Sequence, residues 1–289
     1  MTYNAEISRV NPTCFLFLID QSGSMAECWG GEAGKTKAQG VADAINRLLQ
    51  TLVRRCAKGD YVLDRYFIGA VGYGGQPGDP DEVSLGFPVE ALAASVVQPV
   101  SMIKSYPLRI EDRIKKEDDG AGGLIQKHMR FPVWFDPRAK GKTPMCAALR
   151  AAYEVICQFI GAHPGCFPPI IVNITDGMAT DGDAAQVWQM ATALRGVASQ
   201  DGNVLLFNAH LSVRGDRPIL FPASENNLPD DYARLLFRMS SPLPPSMLRQ
   251  AQILETSVEE GAVGFAFNAD LASVIMFLDI GTRADQGVV

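Results

Sequence analysis

The residues best suited to chemistry are Asp20, Ser22 and Ser24, one carboxylate and two hydroxyls at alternate positions of Asp20-Gln21-Ser22-Gly23-Ser24. They follow the apolar run Cys14-Phe15-Leu16-Phe17-Leu18-Ile19, which reads as a buried central strand stopped by a polar, glycine-containing turn. An acid at the carboxyl end of such a strand lies where open α/β sheets place their ligands. Three hard oxygen donors on a short loop can face one point, a chemistry that suits Mg²⁺, with Mn²⁺ or Ca²⁺ as alternatives. The competing role is structural, since Ser and Asp also cap the free N–H groups of a helix start.

Two later stretches belong with this one: Gly141-Lys142-Thr143-Pro144-Met145 before a helical segment, and Ile174-Thr175-Asp176-Gly177 after an apolar run. With them, Phe17 to Met25 resembles the opening motif of a von Willebrand factor type A (vWA) domain, and all three elements occur in that family's order. The resemblance implies a metal-ion-dependent adhesion site (MIDAS) formed by Asp20, Ser22, Ser24, Thr143 and Asp176. It also implies a non-enzymatic protein-binding module, in which an Asp or Glu carboxylate of a partner completes the coordination of the ion. The fold implied is a doubly wound, Rossmann-like α/β domain. Its sheet would have six mainly parallel strands, one of them an antiparallel edge strand, with helices on both faces. The chain further resembles the bacterial cytosolic, tellurite-resistance type, which implies a Ser/Thr kinase or phosphatase as partner in stress or phospho-signalling. Met178 departs from the pattern, standing where several members of the family carry a further acid.

The elements that must position these residues alternate between strand and helix, which argues independently for an open parallel sheet in one domain spanning 1–289, with its core at about 10–280. After the first strand, Val41, Ala44, Ile45, Leu48, Leu49, Leu52 and Val53 recur at helical spacing, enough for a crossover helix. Trp29, in the glycine-rich stretch before it, reads equally as a rim residue of the site and as packing. Residues 65–73 form a second strand and 83–89 a short edge strand. Between about 90 and 140 the pattern loosens into an insertion. There the mixed charge run from Arg109 to Asp119 reads as solvated surface, and Gly120-Ala121-Gly122-Gly123 as a turn lacking the spacing of a phosphate loop. His128 to Asp136 has strand character, so an inserted β-hairpin beside the metal face is expected. Further elements are a helix after Thr143, a strand ending at Thr175, a helix over 184–199, a strand over 202–210, two short helices, a strand over 263–267 and a closing helix capped by Asn268 or Asp270. Asp181 and Asp183 are expected to cap a helix and to add negative charge near the site.

Composition narrows the classes. At 47% hydrophobic and 20% charged, the 289 residues are those of an ordinary globular domain. The net charge of −6 gives no general attraction to nucleic acid or to anionic membranes. No apolar run approaches the ~20 residues of a membrane span, and the first residues show no signal-like core, so a cytoplasmic location is expected. The six scattered cysteines include no Cys-x-x-Cys pair and read as small buried hydrophobes. Two rival functions remain beside the binding module. One is a hydrolase using Ser22 or Ser24 with His210 and Asp176, although the serines lack the Gly-x-Ser-x-Gly setting. A phosphatase with Asp20 as nucleophile would need a second acid where Ser22 stands. The other rival is a scaffold that keeps the fold and binds no metal.

Overall fold

The computed structural model describes residues 3–29, 34–75, 82–118, 124–211, 218–255 and 257–282. Strand β1 (Thr13–Asp20) leads through a 3-10 turn, Gly23–Ala26, into α1 (Lys37–Cys56). A small hairpin, β2 (Ala57–Lys58) and β3 (Tyr61–Val62), turns the chain into β4 (Tyr66–Tyr73). Next come β5 (Val83–Leu85), β6 (Val97–Pro99), α2 (Val100–Ser105) and a long hairpin of β7 (Arg109–Asp118) and β8 (Leu124–Val133). The second half runs α3 (Met145–Ala162), β9 (Ile170–Thr175), α4 (Ala184–Gly196), β10 (Leu205–Leu211), β11 (Ile219–Leu220) and α5 (Asp231–Met239). It closes with α6 (Pro245–Leu254), β12 (Phe265–Ala269) and α7 (Leu271–Thr282).

Among the described residues one sheet of eight strands organises the domain, in the order β11-β12-β10-β9-β1-β4-β5, with β6 also paired to β4. Strands β12, β10, β9, β1 and β4 are mutually parallel. The expected six strands with one antiparallel edge are therefore corrected to eight with antiparallel pieces on both edges. Val71–Tyr73 of β4 pair with β5 and Phe67–Gly69 with β6, while β11 borders β12. Strands of two or three residues carry too little alternation to be read from sequence, and Pro99 is tolerated because it ends an edge strand.

Every residue of β1 is buried. Its side chains alternate, Phe15, Phe17 and Ile19 entering the core with α1, while Cys14, Leu16 and Leu18 enter the core with α3. Helices α1, α2, α6 and α7 thus cover one face and α3, α4 and α5 the other. Helix α1 carries Ile45, Leu49 and Leu52 fully buried. Each contributes about 2 kcal/mol by burial, well above the few tenths of a typical helical side-chain pair, so packing decides where α1 sits. Among the described residues α3 alone is long and apolar enough to cross a membrane, and here its Ala148, Leu149, Ala152 and Ile156 fill the core.

The insertion does hold a hairpin, with β7 and β8 paired from Arg109↔Val133 to Asp118↔Leu124. The charge run read as solvated surface is itself the first strand. Its registry puts Arg113 against α1, where the guanidinium pairs with Asp43 at 2.5 Å and lies over the Phe131 ring at 3.7 Å, while Ile110 and Ile114 are exposed. A two-stranded ribbon with one covered face needs few apolar residues, so its strands read as polar. The Gly120–Gly123 turn lies outside the described residues. At the C-terminal end, Asp270 rather than Asn268 caps the last helix, accepting from the Ser273 N–H at 2.8 Å.

Candidate functional site

The chain leaves β1 through α1 on one face of the sheet and leaves β9, the neighbour of β1, through α4 on the other. The carboxyl ends of β1 and β9 therefore diverge into a crevice, the position where open α/β sheets bind ligands. Asp20 is the last residue of β1, and Asp176 follows the last residue of β9.

Asp20 is wholly buried. Its Oδ1 accepts from the Ser22 backbone N–H at 2.8 Å and its Oδ2 from the Thr175 hydroxyl at 2.7 Å. Burial pushes the carboxyl up to about 6, more than those hydrogen bonds lower it. Ser22 stands at the cap position of the 3-10 turn but makes no side-chain capping bond. Its hydroxyl lies 3.1 Å from that of Ser24, which donates to Asp176 Oδ1 at 2.7 Å. The capping role considered for these residues therefore gives way to a chain of hydroxyls and carboxylates joining the two strand ends.

Thr143 arrives on a third loop stitched to the first. The Gly23 N–H donates to the Gly141 carbonyl at 3.0 Å, the Lys140 N–H to Gln21 at 2.6 Å and the Lys142 N–H to Gly75 at 3.0 Å. Gly141 has φ +84°, and a Cβ there would come within 2.8 Å of Gly75, so glycine is required by both conformation and space. Thr143 is buried, its hydroxyl 3.7 Å from where a Cβ on Gly177 would lie, and its N–H donates to the Thr180 hydroxyl at 3.0 Å. All five residues singled out by the sequence thus border one crevice. Four of them belong to a single hydrogen-bonded cluster with Thr175. Among the described residues no group of three or more His, Cys, Asp or Glu comes together, so a cation here would rest on hydroxyls as much as on carboxylates.

Several contributors were missed. Lys37, the first residue of α1, is buried, and its Nζ lies 2.7 Å from both Asp176 Oδ2 and Glu27 Oε2. Burial pulls this ammonium down, but the bonds to Asp176 and Glu27 outweigh it and leave it above its ordinary value. Thr175 supports Asp20, and Tyr232 of α5 donates to the Gly177 carbonyl. Beneath them a buried polar chain crosses the sheet, from the Tyr73 hydroxyl to Asn173 at 2.7 Å, Asn173 to Asn208 at 3.0 Å and Asn208 to Ser240 at 2.9 Å. The asparagines interrupting otherwise apolar strands were the available signal for this layer. Asp181 and Asp183 both take the capping roles expected of them. Asp181 accepts from the Cys146 and Ala147 N–H groups at 3.1 and 2.8 Å, holding the start of α3, while Asp183 caps α4.

Trp29 packs rather than lining a rim. It is buried, donates to the Ala269 carbonyl at 3.2 Å and lies over Gly40, where a Cβ would come within 2.1 Å of its ring. His210 stacks on Phe267 at 4.9 Å and meets Tyr232 edge-on at 5.8 Å. The Ser24 hydroxyl donates straight to Asp176. All six cysteines are free, with Cys28 exposed.

No protein-family model and no curated protein matches the sequence. Among solved structures, the chain is similar to a von Willebrand factor type A protein from Catenulispora acidiphila, at 14% identity and a TM-score of 0.48, covering 95% of this chain and 43% of that one. It is also similar to proximal thread matrix protein 1 from the mussel byssus, at 17% identity and a TM-score of 0.41, covering 82% of this chain and 43% of that one. The chain therefore spans less than half the length of either. At such identities and overlaps neither likeness carries weight for function.

Proposed function

We propose that the chain is a metal-ion-dependent protein-binding module of the vWA kind, with Asp20, Ser22, Ser24, Thr143 and Asp176 as the residues that hold the ion. The observation that carries this reading is the cluster of two buried carboxylates and two serine hydroxyls, bonded from β1 to β9, with the Thr143 loop stitched against it at the switch point of the sheet. The residues fit a hard dication. Asp20 is an acid without exposed surface that accepts from two neutral donors, the Ser22 N–H and the Thr175 hydroxyl, an arrangement that a nearby cation stabilises. The serine hydroxyls add neutral oxygen donors, and Mg²⁺ favours oxygen ligands of this kind.

When bound, the ion supplies an open coordination position with residual positive charge, attractive to an Asp or Glu side chain of a partner protein. The chain's own part is to hold the donors still. Thr175 and the Ser22 N–H fix Asp20, Ser24 fixes Asp176, and the glycine-built contact between residues 23 and 141 fixes Thr143. A partner of the Ser/Thr kinase or phosphatase class, a cytoplasmic location and a role in stress signalling belong to the same proposal, supported by the sequence resemblance alone.

The test is calorimetric titration of EDTA-stripped protein with Mg²⁺, Mn²⁺ and Ca²⁺ beside Asp20→Ala. Saturable binding lost in the variant is expected, together with partner capture that EDTA abolishes. Chelator-insensitive capture with no ion binding would sink the reading and favour a metal-free scaffold.

A further inference from the structure

The ion-binding reading leaves Lys37 without a role. Two local penalties oppose a lysine at this position. It is the first residue of α1, where the positive end of the helix dipole repels a cation, and it is only 4% exposed, so its ammonium has left water. What compensates is a pair of carboxylates on either side: Asp176, whose side chain is fully buried, and Glu27, whose side chain is 58% exposed. The ammonium thus bridges the crevice to its rim. Its own residue is anchored to the same neighbour by the backbone, the Lys37 N–H donating to the Glu27 carbonyl at 3.0 Å.

We infer that Lys37 is the site's resident counter-ion: it neutralises Asp176 in the ion-free protein, releases that carboxylate when a divalent cation is bound, and stays paired with Glu27. The inference rests on the proposed ion-binding function and assigns its regulation. Asp176 Oδ1 is held by Ser24 and Oδ2 by Lys37, so the Oδ2 contact is the one in which a second cation competes directly. A unit charge held this close opposes a dication strongly in a partly desolvated crevice. Lys37 therefore lowers affinity and sets the free-ion concentration at which the site fills. Glu27 acts as a positioning residue, giving the displaced ammonium a partner.

Titration of Mg²⁺ and Mn²⁺ into wild type, Lys37→Met, Glu27→Gln and the double variant tests this. Lys37→Met is expected to bind at least about tenfold more tightly than wild type. Glu27→Gln is expected to bind several-fold more weakly, an effect that shrinks in the Lys37→Met background because Glu27 acts through Lys37. Lys37→Gln, which keeps a hydrogen-bond donor without the charge, carries the same expectation as Lys37→Met should that variant fail to fold. Neutral variants that bind equally or more weakly than a wild type that does bind would overturn the role of Lys37 and leave the ion site standing. No binding of either ion by any folded variant would overturn both.

Discussion

Replacing Asp20 by Asn removes a charge that the fold buries among neutral donors. Burial moves this carboxyl from an ordinary 3.8 to about 6. At about 1.4 kcal/mol per unit, keeping Asp20 ionised costs the ion-free fold about 3 kcal/mol at neutral pH. The sign follows from proton binding. The folded state holds this proton more tightly than the unfolded chain, so the contribution of Asp20 is most favourable below the unfolded value of about 4 and is lost as pH rises through about 6. Asparagine can keep the bond from the Ser22 N–H and donate to Thr175, whose hydroxyl already lies 3.1 Å from the Gly177 carbonyl. Urea unfolding in EDTA, followed by tryptophan fluorescence, should therefore find Asp20→Asn more stable than wild type by about 1–3 kcal/mol at pH 7.5, with the gap narrowing toward pH 4. With Mg²⁺ the wild type should gain stability and the variant should not. A variant less stable than wild type in EDTA at pH 7.5, or a gap that ignores pH, would refute the reasoning.

Gly40→Ala should destabilise by about 2 kcal/mol in urea, because its Cβ meets the Trp29 ring at 2.1 Å; most of that loss should vanish in a Trp29→Ala background, and additive losses would deny the contact. Asp181→Ala should cost about 1–2 kcal/mol by freeing the Cys146 and Ala147 N–H groups at the start of α3. The same change should weaken Mg²⁺ binding through the adjoining Thr143 loop, and unchanged affinity would separate that loop from the proposed site.

Much of the frame was legible because two of the three motifs terminate an apolar run. Asp20 and Asp176 follow strands buried on both faces, whose side chains are apolar almost throughout, and a parallel sheet brings the ends of such strands to one side. The hairpin was legible by half. Val133 to Phe135 carry aromatic and β-branched character because they return to the core, where Trp134 donates to the Ile103 carbonyl at 2.7 Å and Asn46 holds the backbone. Arg109 to Ile114 turn Arg113 to the domain and leave Ile110 and Ile114 exposed, so this charged stretch with two isoleucines resembles solvated surface. The capping alternative for Ser22 was undecidable from sequence, since a hydroxyl before a helical turn serves equally as a cap or as a ligand. Only the direction of the Oγ, toward Ser24, distinguishes the two.

Lys37 marks the limit of such reading for a physical reason. A lysine beside a threonine N-cap reads as the solvated edge of a helix, and nothing local announces that its ammonium faces an acid 139 residues away. Yet the two legible acids demand something of the kind. Two carboxylates drawn into one crevice repel each other and lose water, a cost that the fold's own side chains can offset. Protonating Asp20 offsets part of it below about pH 6. Pairing Asp176 with a buried ammonium offsets another part at every pH where lysine is charged. A lysine placed against the helix dipole and out of water is thus what electrostatics asks of two acids gathered in one crevice.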